Sequence, residues 1–140
     1  MISLHIAKLL EDNGYGTLAL TGNETVSNLI YFEKLPVGKT GVFIMSNGNS
    51  LSRAVRRQQS FDLYARGTND LDGAKRLKDI LRFFGQRYEV CELPIVPGYS
   101  DEKYTNIVIE PTFNITNVGL DASDRVIYSA SATITYNEEN

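Results

Sequence analysis

Three arginines within five positions, Arg53, Arg56 and Arg57, with Gln58 and Gln59 directly after them, are the densest group of anion-gripping side chains in this 140-residue sequence. Guanidinium groups meet carboxylates and phosphates through paired, charge-assisted hydrogen bonds. A loop carrying three of them is therefore either a solvated surface or a contact for a protein partner or nucleic acid. Acidic counterparts stand at Asp101 and Glu102, and again at Glu138 and Glu139. The formal net charge is -3, so no global excess of Lys and Arg recommends nucleic acid as the main partner.

Other chemistries fail on their spacing. Gly38-Lys39-Thr40 looks like the end of a phosphate-binding loop, but that motif needs a glycine where this chain has Glu33 and a helix where it has the strand residues Val42 to Met45. Gly14-Tyr15-Gly16-Thr17-Leu18-Ala19 matches a loose dinucleotide fingerprint, yet it follows a helix and opens none. His5 is the only histidine and reads as a surface or partly packed residue with no second ligand to share a metal. Cys91 is the only cysteine, which excludes an internal disulfide. In mid-strand it reads as a small buried apolar group. Asp70 and Asp72 suit the positive end of a helix, which also argues against a phosphate beside Arg66-Gly67, and Asp121 with Asp124 suits a turn. The residues supply no catalytic group, no cofactor site and no metal site, and the expectation is that the protein is not an enzyme.

The elements that must position these groups follow from hydrophobic periodicity. Ile2, Ile6, Leu9 and Leu10 predict an amphipathic helix over residues 2 to 13, stopped at Gly14. Leu29 to Phe32 predicts a short strand, and Gly41 to Met45 a buried one ended by Ser46-Asn47-Gly48-Asn49. From Arg57 the chain alternates, with Phe61, Leu63 and Ala65 on one side and Ser60, Asp62, Tyr64 and Arg66 on the other. Leu77, Ile80, Leu81 and Phe84 predict a second helix with Asp70 as N-cap, Gly85 as its stop, and Lys75, Arg76, Lys78 and Arg82 on the solvated side.

Tyr88 to Leu93 reads as a strand, followed by a Pro/Gly loop to Lys103. Ile107, Ile109, Phe113 and Ile115 then share a face with Pro111, which demands a bulge or a sheet edge there. Val126 to Tyr136 alternates strictly, so the last two runs read as a long antiparallel hairpin with a loose end at Asn137 to Asn140. The sum is one α+β domain over residues 1–140: a mixed, mostly antiparallel sheet with two helices packed on one face. The N-terminus has no charged segment followed by a continuous apolar one, and no apolar run approaches the roughly 20 residues of a membrane helix. A soluble protein made in a cytoplasm, with no membrane partner, is expected.

The element order is an N-terminal helix, Asn28 to Phe32 ahead of Leu35-Pro36, the strand ending in Asn47-Gly48, the basic loop, Leu63 to Gly67, the helix Leu71 to Phe84 and a terminal strand pair. That order, over about residues 2 to 136, resembles the tail terminator proteins of long-tailed bacteriophages, some of which are labelled minor capsid proteins. The resemblance implies a structural virion protein assembled in the host bacterial cytoplasm. It would form a homo-oligomeric ring, commonly a hexamer, that caps the head-proximal end of the tail tube, stops polymerisation and joins the tail to the head-side connector. The implied partners are the subunit itself, the major tail tube protein and the connector, with DNA passing through the lumen. Neither the loop Pro94 to Lys103 nor the arginine loop corresponds to a family motif. A closed ring needs two different complementary surfaces on each subunit, and Arg53, Arg56 and Arg57 against Asp101 and Glu102 are the candidates. The alternatives are a nucleic-acid-binding module using the Arg53 to Arg57 loop, or another head–tail connector component.

Overall fold

The computed structural model describes the chain except residues 22, 23, 27, 34, 35, 37, 38, 54, 55, 68, 70, 122, 123 and 140, and gives only the backbone for 47–53 and 139. Asp70, expected to cap a helix, and Gly38 lie outside the described residues, as do the side chains of Arg53 and Glu139. The elements run α1 (Ile2–Asp12), β1 (Thr17–Leu18), β2 (Leu29–Phe32), β3 (Gly41–Arg53), β4 (Arg56–Arg66), α2 (Asp72–Phe84), β5 (Tyr88–Glu92), β6 (Lys103–Pro111), β7 (Thr116–Leu120) and β8 (Val126–Glu139). The strands form one sheet in the order β1-β2-β3-β4-β8-β6-β5, with β7 also paired to β8. β1, β2 and β3 are parallel neighbours and every other pairing is antiparallel. The fold is α+β with a mostly antiparallel mixed sheet and two helices.

Period-2 and period-3.6 patterns meet on one sheet face. Val42, Ile44, Phe61, Leu63, Ala65, Ala130, Ala132 and Ile134 point the same way by register, and they form one cluster with Ile6 and Leu10 of α1 and Leu77, Ile80, Leu81 and Phe84 of α2. Both helices therefore cover the same face. The opposite face carries Ser129, Ser131, Thr133 and Thr135 of β8, half-buried, and a small apolar cluster of Ala19, Tyr31 and Phe43. β8 lies between β4 on one side and β6 and β7 on the other, so it holds the two halves of the sheet together.

Parallel neighbours usually need a long crossover through a helix. Here only residues 33–40 separate β2 from β3, and Arg66 binds the chain between them at Pro36 and Lys39. Its Nε donates to the Lys39 carbonyl and its Nη2 to the Pro36 carbonyl. Nη1 lies 3.1 Å from the Asp121 carboxylate, with both side chains more than nine-tenths buried, and the cation stands 5.3 Å from the Phe43 ring centroid. Arg66 is thus fully engaged within the chain, and the helix that follows is capped by Asn69, whose Oδ1 accepts from the N–H groups of Leu71 and Asp72.

The structure departs from the sequence reading in four further places. β3 does not end at Asn47-Gly48: the ladder advances four residues in β3 against two in β4 between Asn47 and Leu51, absorbing the turn-prone residues as an irregularity. The arginine segment is consequently not a loop, because Arg53 closes β3, Arg56 opens β4, and the two are paired. The run from Ile107 to Ile115 breaks after Pro111, and Phe113 takes φ 61 and turns outward instead of joining Ile107 and Ile109 in the core. Of the end expected to be loose, residues 137–139 continue β8, since Asn137 pairs with Arg56 and Glu139 with Lys103, and Asn140 lies outside the described residues.

Candidate functional site

The cations and anions expected to form two separate surfaces lie at one end of the sheet. Register places Arg56 of β4 against Asn137 of β8, and Asn137 against Thr105 of β6, next to Asp101 and Glu102. Arg57 meets Glu138 at 2.8 Å. Arg56 donates to the Asn106 carbonyl at 2.6 Å and reaches Asn137 Oδ1 at 3.3 Å. Both guanidinium groups therefore have partners inside the chain. Asp101 is exposed, whereas Glu102 accepts from the Met1 ammonium and from Tyr104 Oη at 2.9 Å, with Ser100 Oγ 3.1 Å away. The ammonium contact holds the Glu102 carboxyl below the usual carboxylate range. Burial, with that carboxylate beside it, pushes the Tyr104 phenol well up.

His5 stands behind this group, fully buried where its sequence neighbours suggest a surface or partly packed residue. A carbonyl can only accept, so the 2.8 Å contact with the Pro94 oxygen puts the proton on Nδ1. Nε2 of the neutral ring then accepts from Ser100 Oγ, also at 2.8 Å. The spacing is that of a nucleophile and its base, but the imidazole is sealed off and the serine also contacts Glu102, so the pair works as a clasp tying residues 94–102 to α1. This strap is why α1 buries Leu4 and His5 as well as the apolar stripe that its periodicity marks.

The clasp makes stability depend on pH. Burial lowers the His5 pKa below its ordinary value, opposed in part by the bond to Pro94. Below about 6.5 the unfolded chain binds a proton that the folded chain resists, so the contribution of neutral His5 is lost as pH falls from about 6.5 towards the folded pKa. In urea unfolding between pH 7.5 and 5, the wild type is expected to lose more stability than His5→Gln. Equal slopes would contradict the assignment. The window stays above the range in which Glu102 and Glu24, the latter held at about 2 chiefly by backbone hydrogen bonds from Thr21, take up protons.

Two other surfaces stand out. β5 pairs only with β6, so its outer edge is open among the described residues, and Cys91, expected inside, is exposed on it. β7 exposes all five of its residues, with Val118 51% and Leu120 63% accessible, and Phe113 just before it is 47% accessible. A cavity of about 530 Å³ lies between the turn after α1 and the first half of α2. Arg76, expected on the solvated side, is half-buried there. Among the described residues no group of three or more His, Cys, Asp or Glu could hold a metal ion, and no helix is long and apolar enough to cross a membrane.

No protein-family model matches the sequence, and no curated protein matches it. The surfaces themselves therefore carry the functional argument. The β7 edge and the Arg76 cavity both escaped sequence reasoning. The run into β7 reads as buried by alternation, and the cavity joins residues some 60 positions apart, from Gly14 to Ile80, for which no local pattern exists.

Proposed function

We propose that the protein is a non-enzymatic assembly subunit of the tail-terminator kind that its element order resembles. In this reading it forms a ring, a hexamer in the family, on the head-proximal end of a phage tail tube, stops its polymerisation and meets the head-side connector. The observation that carries this reading is the open sheet margin formed by β5 and β7, where main-chain groups stand beside the exposed Phe113, Val118 and Leu120. Unpaired strand edges are templates for another chain, and exposed apolar side chains next to one give the contact its anchors. A ring is a head-to-tail contact that closes, which suits an open sheet whose two margins differ: β1 at one side, β5 and β7 at the other. The nucleic-acid reading is weaker, because Arg57 already meets Glu138 and Arg56 the Asn106 carbonyl.

Native mass spectrometry with isolated tail tubes tests the proposal. The wild type is expected to associate with itself and with tube ends. Leu120→Asp is expected to weaken self-association about tenfold or more, the loss of an anchor worth at least about 1.4 kcal/mol, with the melting temperature unchanged. A strict monomer that never binds tube ends would sink the reading.

A further inference from the structure

The cavity beside α2 has no part in that assembly reading. One side of it is the turn after α1, where Gly16 has φ +151 and packs so closely on the Asn28 carbonyl oxygen that a Cβ there would stand 2.5 Å from it. Its charged wall is one stretch of α2, where Asp72, Lys75, Arg76 and Asp79 follow one another at helical spacing. Arg76 is the anomaly in this wall. Its Nη2 is shut off from solvent and has no hydrogen-bond partner among the described residues, a condition that native structures rarely leave uncorrected. Other atoms of the Arg76 side chain border the cavity, and a rotation that brings Nη2 to that side gives it an acceptor when an anion is there.

The charge balance selects the anion. Two cations face two aspartates, so the site is formally neutral when empty. A phosphate would bring about two negative charges against Asp72 and Asp79, whereas a carboxylate brings one and matches the planar fork of a guanidinium with two parallel bonds.

We propose that this cavity is a carboxylate-binding site in which Arg76 grips the ligand and the exposed Lys75 attracts it. The carboxylate comes either from a free small organic acid or from an Asp or Glu side chain of a second copy of the chain. The proposal stands apart from the terminator reading, and either can fail without the other.

The test pairs thermal melting with sedimentation velocity, in sodium succinate, sodium phosphate or sodium chloride at matched ionic strength. The wild type, Arg76→Met, Arg76→Lys and the control Lys78→Met are compared. For a free acid, succinate at ten times its Kd raises the wild-type and Lys78→Met melting temperatures by about 2–4 °C. Neither Arg76 variant responds, the lysine because it lacks the fork, and Arg76→Lys keeps the test valid if Arg76→Met folds poorly. For a carboxylate from a second copy, the wild type self-associates, succinate reverses this, and both Arg76 variants stay monomeric in chloride. The proposal is overturned if phosphate stabilises as much as succinate, or if an Arg76 variant responds like the wild type. It is equally overturned if the wild type shows neither a succinate shift nor succinate-sensitive association. Tube-end capture is read separately, so loss of one signal identifies which proposal has failed.

Discussion

Replacing Arg66 with methionine is expected to lower the unfolding free energy by about 3–5 kcal/mol, the range for removing one partner of a buried ion pair. The substitution leaves the Asp121 carboxylate buried without its cation and takes the donors away from the Pro36 and Lys39 carbonyls. For a chain of this length the melting temperature should fall by roughly 10 °C. The double variant Arg66→Met/Asp121→Asn should recover part of the loss, because no lone charge then stays in the interior. Urea unfolding of the wild type, the single and the double variant measures both effects. A single variant within about 1 kcal/mol of the wild type would mean that the crossing between β2 and β3 holds without its clamp, and that the buried pair is near break-even.

Gly41→Ala should come second in size. Gly41 opens β3 at φ +150, and an added Cβ would stand 2.5 Å from the Leu29 carbonyl oxygen in the neighbouring parallel strand. The backbone conformation alone costs a side-chain-bearing residue about 1–3 kcal/mol, and the overlap adds to that, because the obstacle is main chain and cannot swing aside. Hydrogen exchange locates the damage. Protection should fall first in β1 and β2, which depend on this junction, while the β4–β8 pairing keeps its protection. Uniform loss across the sheet would show that the parallel strands do not open as a separate unit.

These two residues also mark where sequence reasoning stops. The helical spacing of Leu77, Ile80, Leu81 and Phe84 and the strict alternation of β8 were legible, because burial repeats with the period of the element itself. The opening glycine and the arginine that closes β4 were visible as residue types, but their roles come from chain segments that meet only in the fold. The same limit inverted Cys91 and understated the burial of His5. Residues 94–102 return across α1 and bury the histidine, while β5 falls at the sheet margin and leaves the thiol outside. Alternation placed Phe113 in the core, but the break after Pro111 resets the register. Of the candidate site, the arginine cluster was legible by composition, whereas its pairing with Glu138 and Asn106 was not, since both lie more than 40 positions away.

β8 joins β4 to β6 and β7, yet it comes later in the chain than any of them. During synthesis each half of the sheet must wait with an unpaired margin until this strand leaves the ribosome. The molecule closes only when its central strand arrives, and the pairing that joins the two halves of the sheet is made in that late step. A ribosome that stalls before residue 126 therefore holds two incomplete sheets, each with an open edge facing its neighbours on the polysome, and the time spent there sets how much chain is lost to aggregation.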